Sequence, residues 1–292
     1  MDQQNTYQTY FNESMALSHA SFFAMNTKME LVLCGINKTD AEYIFHLVYE
    51  ETRRIEKMLN RFDPQSEVSK INSNKSGSIA ISEEFCTIVE QCQKFNRLTN
   101  YFFDVCMDPQ IPAVPGTNKF LTDAKKGTIQ PINTVLHFDF GAFAKGYALD
   151  RIKAILEKTT SSNALVNFGN SSILALGHHP HGNCWQISLQ HSYDPALTVY
   201  TFDLSDEVLT TSGILPTKEA HIRSPLTGEL NTERATYSVV TKTAVEGEAI
   251  TTALYAANDL VQQGEILKNF GLKSALKIEY LKIKNPAASP FY

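Results

Sequence analysis

The chain has 292 residues, 43% hydrophobic and 20% charged, with 26 basic and 31 acidic side chains and a formal net charge of −5. These values exclude a disordered tail, a collagen-like repeat and a coiled coil, and the acidic balance argues against nucleic acid as a partner. The polar opening MDQQNTYQTYFNES is no secretory leader, no apolar run approaches the ~18 residues of a membrane span, and five scattered cysteines give no disulfide framework, so the chain reads as cytoplasmic.

Residues 22–34 alternate loosely and end at Gly35, as a strand closed by a turn. Thr39-Asp40-Ala41-Glu42 has capping-box spacing, and Ile44, Phe45, Leu47, Val48, Ile55, Met58 and Leu59 recur at helical spacing, which predicts a helix over 40–60. Ser82 opens a second helix with Phe85, Val89, Cys92 and Phe95 on one face. The prolines of 108–133 predict loop, 134–140 reads as a strand, and 142–157 as a helix entered through Gly141. Short strands follow at 164–168, 172–176, 185–190, 198–204, 207–211 and 236–241, then helices at 246–258 and 261–270 and a last strand over 275–283. Helices mixed with mainly antiparallel strands give an α+β fold with no strong internal boundary.

Four segments carry possible chemistry. Asp139-Phe140-Gly141-Ala142-Phe143-Ala144-Lys145-Gly146 puts a glycine turn, a helix N-terminus and a lysine together, which is how an anion site is built; a plain turn with a solvated lysine fits the same residues. Thr211-Ser212-Gly213, with His221-Ile222-Arg223-Ser224-Pro225-Leu226-Thr227-Gly228, is turn chemistry in which His221 is either a proton carrier or a turn residue. Glu248 and Thr252 stand at i and i+4, so a carboxylate and a hydroxyl share one helix face and suit Mg²⁺; alternatively Thr252 bonds back to the i−4 carbonyl. His178-His179-Pro180-His181 with Cys184 lacks zinc-ligand spacing and reads as a polar hairpin loop.

In order and content these segments resemble the FAD:protein FMN transferase (ApbE) family, over about residues 22–283. Met25-Asn26-Thr27 resembles the family's early M-G-T. Phe62, with Ser66-Glu67-Val68-Ser69-Lys70-Ile71-Asn72, resembles its aromatic and S-E-[IL]-S-x-[LI]-N stretch, and Phe102-Phe103-Asp104 its G-x-F-D. Asp139 to Asp150 is close to the D-x-G-x-x-A-K-G-Y-A-x-D signature. Asn167-Phe168-Gly169 resembles the start of N-x-G-G-D, Thr211-Ser212-Gly213 the T-S-G, and His221 to Gly228 the H-I-x-D-P-x-T-G. Three positions depart from the pattern. Glu248 stands where the family usually has Asp, Asn170-Ser171-Ser172 replaces G-D, and Ser224 replaces the Asp of H-I-x-D-P, with a hydroxyl still able to serve the turn hydrogen bond.

The resemblance implies a T-fold-related α+β domain over 22–292, preceded by an N-terminal extension over 1–21. It implies Mg²⁺-dependent cleavage of FAD, release of AMP, and esterification of FMN to a Thr or Ser of an acceptor flavoprotein. By matching position, Met25, Phe62, Phe102, Phe103, Asp104, Asp139, Lys145 and Ile222 would hold FAD. The metal would be held by the Ala142 carbonyl, Glu248 and Thr252. Lys145 would help neutralise the pyrophosphate, and His221 would be the base for the acceptor hydroxyl. The alternatives are an FAD pyrophosphatase giving FMN and AMP, and a non-catalytic FAD-binding paralogue.

Overall fold

The computed structural model describes residues 7–292 except 75–76, 108–111, 133–134, 160–162, 192–193, 195, 216–218, 258, 273, 281–286 and 291–292. In chain order the first half holds β1 (Gln8–Asn12), β2 (Leu17–Ala24), β3 (Thr27–Cys34), α1 (Lys38–Leu59), α2 (Glu67–Ser73) and β4 (Ile79–Ala80). It continues with α3 (Glu83–Leu98), β5 (Phe120–Asp123), β6 (Thr128–Pro131) and α4 (Ala144–Leu156). The second half holds β7 (Asn163–Phe168), β8 (Ser172–Leu176), β9 (Trp185–Gln190), β10 (Thr198–Leu204), β11 (Glu207–Gly213) and β12 (Ala235–Thr241). It closes with α5 (Ala244–Ala257), α6 (Leu260–Lys268), β13 (Ser274–Glu279) and β14 (Ala287–Pro290).

Among the described residues nine strands form one sheet in the order β1-β2-β3-β7-β8-β11-β12-β13-β14, with every neighbouring pair antiparallel. One face carries the helices and the main core. Leu31, Leu33, Val166, Phe168, Leu174 and Tyr237 point there from the sheet and meet α1, α4 and α5. The β9–β10 ribbon packs Trp185, Phe202 and Leu204 on Ala175, Leu209, Val240 and Leu276 in a second cluster. α5 is buried almost all round, as a helix clamped between sheet and helices must be, so a polar residue on it needs a partner. The α+β class holds.

Several boundaries differ from the sequence reading. Residues 8–21, assigned to an extension, supply β1 and part of β2; Phe11 packs 6.2 Å from Phe45, and Ser18 and Ala20 are buried. α1 is capped by Asn37, whose side chain accepts from the Asp40 N–H at 2.9 Å, so the Thr39 capping box is not used. The segment 135–140 is no strand. The Asn72 amide pairs with the Phe138 N–H (2.7 Å) and carbonyl (2.8 Å), and the Asp139 N–H reaches the Val105 carbonyl (2.8 Å); among the described residues the segment makes a single bridge, Cys106 to Phe138. The proline-rich stretch yields β5 and β6 because Phe120 and Ile129 are buried. The ends of the predicted strands at 134 and 281–283 lie outside the described residues.

Candidate active site

The site is built where α4 crosses α5. The Asp139 carboxylate accepts from the Gly141 N–H at 2.9 Å and pairs with the Arg61 guanidinium at 3.3 Å, which shapes the turn leading into α4. Five residues beyond Lys145, Asp150 accepts from the N–H groups of Ala244 (2.7 Å) and Val245 (3.1 Å) and so caps α5 from its neighbour. Burial pushes the Asp150 carboxyl up to about 6, against the pull of those two donors. Between these anchors the helices touch at Gly146, where a Cβ would lie 2.8 Å from Glu248 Cγ and 2.9 Å from the Ala244 carbonyl oxygen. Only glycine permits that approach.

Glu248 is 2% exposed. Its Oε1 accepts from the Ser172 hydroxyl at 2.7 Å and lies 3.4 Å from Lys145 Nζ. One turn on, Thr252 borders the same space. The back-bond considered for Thr252 is made by Thr251 instead, to the Gly247 carbonyl at 2.8 Å, and Thr251 also meets the Ser212 hydroxyl at 2.8 Å. Among the described residues neither the Thr252 hydroxyl nor Glu248 Oε2 has a hydrogen-bond partner.

Glu248, Thr252, Lys145, Ala142, His221, Ile222 and the Thr211–Gly213 strand end all border one cleft of about 650 Å³. Gly213 turns there at φ 140°, and a Cβ would stand 2.2 Å from the Ala235 carbonyl oxygen. His221 is exposed, and an Nδ1–H bond to the Glu219 carbonyl (3.3 Å) selects the tautomer whose Nε2 carries the lone pair. A second lobe of about 410 Å³ shares Gly141 and Lys145 with the first and is bordered by Met25, Glu56, Arg61, Phe62 and Asp139. Met25 and Asn26 form the two-residue β2–β3 turn with φ of 50° and 60°, a backbone that costs a methionine about 1–2 kcal/mol. The Met25 N–H donates to Glu56 at 2.6 Å and fixes the turn at the cleft rim. Phe62 is 72% exposed there, with the Arg61 guanidinium 4.6 Å from its ring centre.

The sequence-derived residues thus converge, with three exceptions. Phe102 and Phe103 are buried in the core, and Asp104 pairs with Lys119 at 2.7 Å beside a separate pocket of about 80 Å³. None of the three borders the cleft. Ser224 is buried with its hydroxyl unpartnered; the turn is closed by its backbone, whose carbonyl accepts from the Gly228 N–H at 2.8 Å, so the hydroxyl does not take the role expected of it. Sequence reasoning missed Glu56 and Arg61, which carry no motif, the bond to Glu248 from Ser172, which enters the motifs only as a departure from N-x-G-G-D, and the capping role of Asp150, which the signature contains without explaining. The histidine loop is not the hairpin expected: it joins β8 of the main sheet to β9 of the separate β9–β10 ribbon, and within it the His181 N–H donates to His179 Nδ1 at 3.1 Å. No group of three His, Cys, Asp or Glu suited to a metal exists among the described residues. Glu248, Thr252 and Ala142 nevertheless border one cavity and offer a carboxylate, a hydroxyl and a backbone carbonyl as hard oxygen donors. That set fits a Mg²⁺ that shares its shell with ligand phosphates and water, since such an ion takes only one or two protein carboxylates.

The antiparallel sheet and its helices thus carry two adjoining cavities that share Lys145, with the buried Glu248 carboxylate bordering one of them. The ApbE family model matches residues 25–269, and the chain belongs to the ApbE family. It is 24% identical over 173 residues to the FAD:protein FMN transferase of Haemophilus influenzae, covering 49% of this chain and 50% of that protein. The chain therefore spans about half the length of that relative. It is 24% identical over 228 residues to the FAD:protein FMN transferase of Vibrio cholerae, covering 67% of this chain and 68% of the relative. The solved flavin transferase ApbE from Vibrio cholerae superposes with a TM-score of 0.77 at 18% identity, covering 98% of this chain and 97% of that one.

Proposed function

We propose that the chain is a flavin transferase that splits FAD at the pyrophosphate, releases AMP and esterifies FMN to a Thr or Ser hydroxyl of an acceptor flavoprotein. The observation that carries this reading is a pair of neighbouring cavities that share Gly141 and Lys145 in their lining. A dinucleotide needs two lobes, and its pyrophosphate belongs between them. Met25, Phe62, Asp139 and Ile222 border the cleft as flavin- or adenine-facing walls. Lys145 meets the pyrophosphate charge. His221, through Nε2, takes the proton of the acceptor hydroxyl as its oxygen bonds to the FMN phosphorus and the bond to AMP breaks.

The lining supports a cation requirement. Arg61 and Lys145 face four carboxylates, Glu56, Asp139, Glu219 and Glu248, so a pyrophosphate meets net negative charge. Mg²⁺ held by Glu248, Thr252 and the Ala142 carbonyl would offset that charge and stabilise the transferring phosphoryl oxygens. The test is incubation with FAD, Mg²⁺ and candidate acceptors, reading AMP and acceptor mass together. AMP with an FMN mass gain is expected. AMP without the gain would make the protein an FAD pyrophosphatase, and bound FAD with no AMP a non-catalytic flavin binder.

A further inference from the structure

The Lys145 ammonium lies 3.4 Å from the same Glu248 oxygen that the Ser172 hydroxyl holds at 2.7 Å. Lys145 therefore has two uses that compete for its one positive charge. Beside Glu248 it neutralises a buried carboxylate that would otherwise stand unpaired, a costly state. Turned into the cleft, it serves an anion at the junction of the lobes, both of which it borders. Its flexible stem allows the swing. The helix backbones do not follow, because the Gly146 contact and the Asp150 cap lock α4 to α5. Ser172 keeps its grip on Oε1 in either state, and Oε2 is left for a cation.

We propose that the Lys145–Glu248 pair is an exchange latch, which makes binding of a divalent cation and of a pyrophosphate mutually dependent. This rests on the reading under Proposed function. A cation arriving at Glu248 replaces the ammonium as counter-charge and releases it to the pyrophosphate. A pyrophosphate draws the ammonium off and uncovers Glu248 for the cation. By linkage the two effects are equal in size. A cation bridging directly to phosphate oxygens also couples the ligands, but it predicts nothing for either ligand alone. The latch does. Each ligand by itself binds weakly in the parent because it must break the pair.

The experiment titrates the nucleotide-free chain with Mn²⁺, followed by electron paramagnetic resonance, and separately titrates FAD in EDTA, followed by calorimetry. Lys145→Gln removes the competing cation, so it should bind Mn²⁺ about tenfold more tightly than the parent, within the usual range of coupling factors. Glu248→Gln frees the ammonium and should bind metal-free FAD several-fold more tightly. If Lys145→Gln fails to fold with Glu248 uncompensated, the Glu248→Gln arm still decides, since the ammonium it releases can reach water. A parent that binds both ligands, with variants that bind them no more tightly, overturns the latch alone. A parent that binds neither ligand even when FAD and Mn²⁺ are supplied together overturns the flavin-transferase reading and the latch with it.

Discussion

Gly146→Ala separates the site's geometry from the fold's stability. The added Cβ would lie 2.8 Å from Glu248 Cγ, 2.9 Å from the Ala244 oxygen and 3.0 Å from its carbonyl carbon. Carbon atoms settle at ~3.5–4.0 Å, so the gap is short by roughly 0.7–1.2 Å. Ala244 cannot yield easily, because its N–H is held by Asp150 at 2.7 Å; Glu248 is held in turn by Ser172. Overpacking of this kind costs about 1–3 kcal/mol, offset by about 1 kcal/mol from alanine's better helix propensity. The net loss of about 0–2 kcal/mol lowers the melting temperature by at most about 8 °C in a chain of this size. The site pays more: moving a catalytic group by ~1 Å can cost about 10²-fold in rate. The expected result is a folded protein whose AMP release from FAD falls about a hundredfold. A variant with parental AMP release would show that the α4–α5 spacing does not set the site.

His221→Ala should lower kcat by ~10²–10⁴ while FAD affinity stays at the parental value; a collapse of both in calorimetry and AMP release would make His221 a binding residue instead. Asp150 gives a pH signature. Its folded carboxyl is raised to about 6, whereas an unfolded Asp titrates near ~3.9, so between about pH 4 and 6 the folded state keeps a proton the unfolded chain has released. Stability should fall as pH rises through that window and level off above it, and Asp150→Asn should remove that component of the slope in urea melts. An identical slope in parent and variant would show that Asp150 does not titrate there.

What was legible in the sequence was periodic or local. α1 and α3 show their apolar stripes, and β7 to β12 show short alternating runs between turns, so their positions follow from the spacing. The 135–140 segment misled because its apolar run serves an aromatic cluster: Phe138 and Phe140 stack at 5.6 Å, while Asn72 satisfies the backbone of Phe138 and the Val105 carbonyl takes the Asp139 N–H. β1 was missed because its side chains are mainly exposed and it reads as polar chain. In the site, the motif residues Lys145, Glu248 and His221 were found, yet nothing local says that Ser172 meets Glu248 across 76 positions, or that Glu56 holds the Met25 turn. Phe102 and Phe103 matched a motif in sequence while their side chains went to the core. Side-chain direction is not written in a motif.

The sheet order also has a consequence for synthesis. β3 finds its second neighbour only in β7, where Cys34 pairs with Asn163 about 130 residues later. At about 5–20 residues per second, a ribosome leaves that strand edge open for roughly 6–26 s. The β1–β2–β3 meander must wait, with Phe22 packed on Tyr49 of α1 at 5.1 Å. An open edge is a template for a second nascent chain. Lys28 and Glu30, paired at 2.6 Å on the face away from the core, place charge along it and make such pairing between chains costly until β7 emerges.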